Sequence, residues 1–255
     1  MTTTNPRIRI REAVPADARA MAEIDFAAFG TDIIGQLLNP PPVSEAAKEK
    51  MAHSYFPPEG NFKPNAETIF MVAELLPQDG PADGPGEIVA WGKWVLRREP
   101  MDEEGWNVSH DMPPPSDGHE GVNVKVYNWF IAEIHRNLTK IVRGEPHLYL
   151  KGLACAPTRQ RLGAGSALVR WGNDLADSLG LVSYIEASPH GYSVYKKQGF
   201  EDVLALDFKV TETWGAIKEE GRNWGENNAV EIGGPLAPGC LRTVVMRRPA
   251  RPLPN

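Results

Sequence analysis

Cysteine is scarce in this chain: Cys155 and Cys240 are the only two in 255 residues. That count excludes a disulfide framework and suits a reducing compartment. No apolar run approaches the length of a membrane span, and the opening Met1-Thr-Thr-Thr-Asn-Pro-Arg7 has no apolar signal core. The expectation is a soluble, cytoplasmic protein with no membrane partner. Basic charge is not in excess, since 27 Lys and Arg face 33 Asp and Glu for a net charge of −6. There is thus no electrostatic case for nucleic acid, and cationic substrates are mildly favoured. The cysteines are solitary and the histidines are not spaced as paired ligands, so no metal site is expected. No internal repeat is present.

What is present is an ordinary globular composition, 42% hydrophobic, in a chain long enough for one large core. A single domain over 1–255 is the simpler expectation. The chain is organised around Leu148–Val169, where an apolar, strand-like run ends at Cys155, turns at Ala156-Pro157 and opens through Gly163 and Gly165 into a helical pattern. Ala164, Ala167, Leu168, Trp171, Leu175 and Leu179 fall three or four residues apart and form one apolar stripe. A strand therefore delivers the chain to a helix N-terminus, where unpaired amides and the macrodipole favour a phosphate. The glycines leave room for it, and Arg159 and Arg161 stand beside the opening to meet further phosphates. No Gly-Lys-Ser/Thr follows, which excludes a Walker loop. About seven residues separate Cys155 from Gly163, and Leu168 stands where a third glycine is needed, so a dinucleotide fingerprint does not fit.

Gln160-Arg161-Leu162-Gly163-Ala164-Gly165 resembles the central loop of the GNAT superfamily of acyl-CoA N-acyltransferases, which reads Arg or Gln, two residues, Gly, one residue, Gly or Ala. Downstream, Ser183–Gly191 and Tyr195-Lys-Lys-Gln-Gly-Phe200 resemble the family's next strand and its Tyr-x-x-x-Gly-Phe element, in the same order. The resemblance implies an α/β (α+β) fold with a central mixed, largely antiparallel twisted sheet of about seven strands. Helices flank that sheet, which is splayed between strands 4 and 5. Insertions are expected at 39–65, 99–146 and 211–239.

It also implies acetyl-CoA as co-substrate and direct acyl transfer to an amine. The pantetheine arm would run along the end of the fourth strand, Leu153, Ala154 and Cys155. The pyrophosphate would meet the loop amides of Arg161, Leu162, Gly163, Ala164 and Gly165, with Gln160 and Ser166 also expected to be cofactor-binding. Tyr195 is the implied general acid at the leaving thiolate, because a phenol with a pKa of about 10 keeps its proton at neutral pH. Glu186, near the end of the fifth strand, is the first choice of general base. Members that carry His on the fourth strand have it where this chain has Tyr149 and Lys151, which counts against a histidine relay here. His147 and His190 are reserves, and no neighbouring His activates Cys155 for an acyl-enzyme.

Around this centre, 7–11 alternates as a strand, Pro15-Ala-Asp opens a helix with apolar positions Ala18, Met21, Ala22, Ile24 or Asp25, and Phe29, and 30–65 is irregular apart from a helix at 44–53. Residues 68–76 and 87–98 form a hairpin. Residues 99–118 form a polar loop, with His110 and His119 read as solvated. One helix over 121–143 buries Tyr127, Phe130, Ile131, Ile134, Leu138 and Ile141. Strands are expected near 181–187, 203–210 and 241–246, a short helix near 190–198, and a long loop over 211–239. In that loop, Trp214 and Trp224 either cover the acceptor entrance or pack on the sheet edge. The leading acceptor is a primary amine of a small molecule. The alternatives are a protein N-acetyltransferase acting on Lys or an α-amino group, and a non-catalytic acyl-CoA-binding module.

Overall fold

The structure is a computed structural model that describes residues 6–56, 67–81, 83–113 and 121–251. In chain order, β1 (Ile8–Glu12) leads through a 3-10 turn into α1 (Ala18–Phe29), α2 (Ile33–Leu38) and α3 (Glu45–Tyr55). The hairpin β2 (Glu67–Leu75) and β3 (Glu87–Arg97) follows, then α4 (Glu103–Trp106), α5 (Val124–Val126), a π-helical turn (Tyr127–Ile131) and α6 (Ala132–Val142). Next come β4 (His147–Cys155), α7 (Ala164–Leu179), β5 (Val182–Ala187), α8 (Tyr192–Lys197) and β6 (Glu201–Phe208). Last are α9 (Val210–Trp214), α10 (Val230–Gly233) and β7 (Leu241–Arg248).

The seven strands are ordered β1-β2-β3-β4-β5-β7-β6. The β1/β2, β2/β3, β5/β7 and β6/β7 pairs are antiparallel, and β4/β5 is parallel. The expected mixed, largely antiparallel sheet with flanking helices is what the chain forms. Its residues group into two compact units, one of Met1–Leu96, Pro113–Val126 and Lys151–Gly172, the other of Arg97–Met112, Tyr127–Leu150 and Asn173–Asn255. β4 and α7 each contribute to both.

In the first unit the alternation of 7–11 becomes a strand whose two arginines are neutralised from β2. Arg9 Nε donates to Glu74 at 2.7 Å, and Arg11 Nε donates to the same carboxylate at 2.9 Å. Arg11 also holds Asp17 through both Nη atoms, at 2.6 and 2.9 Å, and so fixes the turn into α1. Met21, Ala22 and Ile24 of α1 pack with Tyr55 of α3 onto Phe70, Val72 and Trp91 of the hairpin and onto Ala154 of β4. Residues 30–56 are more regular than expected. Asp32 caps α2 by accepting from the Gly35 amide at 2.7 Å, and Ser44 caps α3 by accepting from Ala47 at 3.1 Å. Pro57 and Pro58 of the expected 39–65 insertion lie outside the described residues.

In the second unit two expectations need correction. The helix expected over 121–143 is broken by the π-helical turn, which spends an extra residue and rotates the apolar stripe. The buried positions are accordingly Val124, Val126, Phe130, Ala132, Ile134, Leu138 and Val142, while Tyr127, Ile131 and Ile141 are half-buried. The stretch 211–239 is not a plain loop, because it carries α10 and most of α9 and is tied to one side chain. Arg242, fully buried, spends all five donors: Nε and Nη2 on Asp207 at 2.6 and 2.7 Å, and its Nη atoms on the carbonyls of Asn228, Gly233 and Gly234. Trp214 packs edge-on against Trp129 at 5.6 Å, and Trp224 is buried beside β7, its carbonyl accepting from Arg242 N at 2.8 Å. Both tryptophans are packing residues here. His110 is not solvated, since its ring bonds Thr139 at 2.8 Å and stacks edge-on against His135 at 5.7 Å. His119 lies outside the described residues.

Candidate active site

The residues expected to meet acetyl-CoA belong to the first unit. Leu153 and Cys155 are half-buried and Ala154 between them is buried, as strand alternation requires. After Cys155 the chain takes a 3-10 turn at Pro157–Arg159, anchored by the Ala156 amide on the Val89 carbonyl at 2.8 Å. Two left-handed residues follow, Arg161 (φ 66°) and Gly163 (φ 87°). Such alternation turns successive N–H groups toward one side, the geometry of an anion nest. A Cβ at Gly163 would meet nothing within 4 Å, so the space beside this backbone is open. α7 starts at Ala164, and the Ala167 amide closes its first turn on the Gly163 carbonyl at 2.9 Å.

Two details qualify the loop as read from sequence. A Cβ at Gly165 would stand 3.1 Å from Cys155 Sγ, so this glycine permits close approach of helix and strand. Its amide is directed at the Cys155 thiol, whose pKa burial nonetheless raises. Cys155 is therefore a protonated, unreactive thiol at neutral pH. Arg159 is engaged by Glu87 at 3.0 Å across an exposed pair, whereas Arg161 is exposed and has no ion-pair partner among the described residues. Of the two arginines, Arg161 is the one open to an anion.

Tyr195 and Glu186 belong to the second unit. Tyr195, on α8, is 6% exposed, stacks edge-on against Phe200 at 6.1 Å and lies over Gly191, where a Cβ would come within 2.7 Å of its ring. Glu186 pairs across the antiparallel ladder with Val245. Its carboxylate accepts a short hydrogen bond from Tyr149 of β4. The register explains the contact: Tyr149 stands opposite Tyr184, and Glu186, two residues on, shares that face. Burial first, and the Glu186 charge second, push the Tyr149 phenol well above its usual pKa, so it remains a donor. Tyr149 entered the sequence reading only as the absence of a histidine, and its role as partner of Glu186 was not foreseen. Beside it, Tyr184 donates to Glu145 and accepts from Arg247 at 3.3 Å, and burial lifts its pKa to about 12.

Neither reserve histidine gains a site. His147 is buried, its ring bonds the Glu145 carbonyl at 2.6 Å, and burial lowers its pKa. His190 is exposed. Among the described residues no group of three His, Cys, Asp or Glu could hold a metal ion, and no helix is long and apolar enough to cross a membrane.

In the mixed seven-strand sheet, β4 leads into α7 through the loop that holds Gly163. Residues 124–200 match the model of the acetyltransferase (GNAT) family. The matched segment contains β4, the loop, β5 and the Tyr195–Phe200 element. No curated protein matches the chain in sequence. Solved structures share the fold at low identity. A mosquito arylalkylamine N-acetyltransferase like 5b is 15% identical with a TM-score of 0.52, over 95% of this chain and 100% of that one. A Drosophila melanogaster polyamine N-acetyltransferase is 13% identical with a TM-score of 0.52, over 95% and 100%. A Corynebacterium glutamicum protein described as histone acetyltransferase HPA2 and related acetyltransferase is 17% identical with a TM-score of 0.50, over 99% of each chain.

Proposed function

We propose that this protein transfers the acetyl group of acetyl-CoA to a primary amine of a small molecule by direct attack in a ternary complex. The observation that carries the proposal is the loop 160–166, whose left-handed residues, open space at Gly163 and helix N-terminus form a main-chain cradle for a diphosphate. Acetyl-CoA presents that diphosphate, and its pantetheine arm would follow Leu153, Ala154 and Cys155. A small cationic acceptor is in keeping with the net charge of −6 and with the small-amine acceptors named for the mosquito and fly neighbours.

The chemistry needs positioning first and proton transfer second. An amine is protonated at neutral pH and must lose a proton before its lone pair can attack the thioester carbonyl. Glu186 is the assigned base, and the hydrogen bond from Tyr149 fixes its orientation. As the C–N bond forms and the C–S bond breaks, Tyr195 gives its proton to the departing thiolate. The second proton on nitrogen leaves to solvent or base, and the phenol is restored from water. The test is incubation with acetyl-CoA and a panel of small amines and peptides while free thiol is followed. Turnover on a small amine is expected. Turnover on peptides alone would contradict the small-molecule acceptor, and CoA binding without turnover on any amine would contradict the enzyme reading.

A further inference from the structure

β7 buries a hydroxyl that its neighbours leave unmet. Thr243 is 3% exposed, and its Oγ1 has no hydrogen-bond partner among the described residues. The strand registers define the face it occupies. Glu186 stands opposite Val245, and Thr243, two residues from Val245, shares that face. On β6 its direct partner is Leu206, and Phe208, two residues further, stands opposite Leu241. Phe130 and Trp129 stack on Phe208 at 4.5 and 5.3 Å between ring centres, so the turn before α6 packs on this same face. The other polar groups here are committed to one another: Tyr149 donates to Glu186, Tyr184 donates to Glu145, and Arg247 donates to Tyr184 at 3.3 Å. Thr243 has the apolar Leu206, Leu241 and Val245 as its neighbours on the ladder.

A buried hydroxyl without a partner is destabilising unless a group from outside the fold meets it. Glu186 lies diagonally across the β5/β7 ladder from Thr243, and diagonal neighbours are roughly 7–8 Å apart at the backbone. A carboxylate and a hydroxyl so placed can hold one nitrogen between them, at about 3 Å from each. An amine suits both, since it brings several N–H donors and each needs an acceptor. From this geometry we infer that Thr243 binds the nitrogen of the acceptor amine, its Oγ1 accepting one N–H while Glu186 takes the proton that must leave. The ammonium loses that proton to the carboxylate, which becomes neutral. The resulting amine keeps an N–H on Thr243 and its lone pair for the thioester carbonyl. The inference rests on the assignment of Glu186 as base and adds a second contact to the same nitrogen.

The test compares Thr243→Val, Thr243→Ser and Glu186→Gln with the native full-length protein, using butylamine, phenethylamine and putrescine as acceptors with acetyl-CoA. On the amine turned over fastest, Thr243→Val should raise the amine KM by about tenfold, with kcat within about threefold and the acetyl-CoA KM unchanged. Thr243→Ser, which keeps the hydroxyl, should bring the amine KM back to within about threefold of native. An unchanged amine KM in Thr243→Val would overturn the inference even where Glu186→Gln abolishes turnover. A native kcat in Glu186→Gln would instead sink the base assignment beneath it. Thermal unfolding without substrate is the second readout and needs no turnover. Thr243→Val should melt at or above the native temperature, because a methyl then replaces a hydroxyl that no residue of the fold satisfies. A fall of several degrees that Thr243→Ser reverses would mean the hydroxyl is bonded within the fold, and the inference would be wrong.

Discussion

The loop 160–166 and the pair Glu186 and Tyr149 draw on opposite parts of the chain. The loop offers amides, so its chemistry resides in backbone angles set by two left-handed residues and a helix start. The pair offers side chains from β5 and β4, and burial first and the Glu186 charge second keep the Tyr149 phenol a donor. Backbone sites tolerate side-chain change and fail when the backbone is altered. Side-chain sites fail at single atoms. The proposed roles of Glu186 and Tyr195 are of the second kind.

That contrast can be broken most sharply at Glu186. Glu186→Gln keeps shape and removes the proposed base, so kcat should fall by about 10²–10³ with acetyl-CoA affinity unchanged. Steady-state kinetics beside CoA titration would decide it, and a loss under about threefold would demote Glu186. Next is the backbone site. Gly163→Val should weaken acetyl-CoA binding by about a hundredfold, because a branched side chain fills the open space and resists a φ of 87°. Gly180→Val is the matched control, since Gly180 also has a positive φ, 65°, and no atom within 4 Å of a built Cβ. It should lose comparable stability and keep CoA affinity, whereas Leu162→Ala should change affinity by less than about threefold if amides hold the ligand. If Tyr195 is the proposed proton donor, Tyr195→Phe should lower kcat by about tenfold while KM for acetyl-CoA holds.

The smallest effect separates two aspartates of the same region by sign. Arg11 holds Asp17 below the usual carboxylate range, so the stability Asp17 adds is complete above about pH 4 and is lost as pH falls through its folded value. Asp25 is raised to about 7, so its ionisation penalises the fold increasingly from about pH 4 to about pH 7. Urea unfolding against pH should show Asp17→Asn flattening the acid side and Asp25→Asn the neutral side.

The same contrast explains what could be read in advance. The sheet and its strand boundaries were legible because alternation and turn residues are local, and β2, β3, β5, β6 and β7 fall within two residues of their expected limits. The loop was legible because a contiguous motif carries it. The Tyr149–Glu186 contact was not, because it arises from a strand register that brings distant positions onto one face. Asp25 left a trace, an acidic residue within the apolar stripe of α1, where it is half-buried. The π-helical turn and the clamp of Arg242 on 228–234 escaped for a similar reason: both depend on tertiary partners that local periodicity does not contain.

The measurement that reaches the central claim most directly compares acetyl-CoA with acetyl-pantetheine, which has the same thioester arm and no diphosphate. Calorimetric titration of the intact protein should give acetyl-CoA an affinity at least about a hundredfold greater, an advantage that disappears in Gly163→Val. Equal affinity for the two thioesters would mean that the amides of 160–166 grip no diphosphate, and the donor assignment would be wrong.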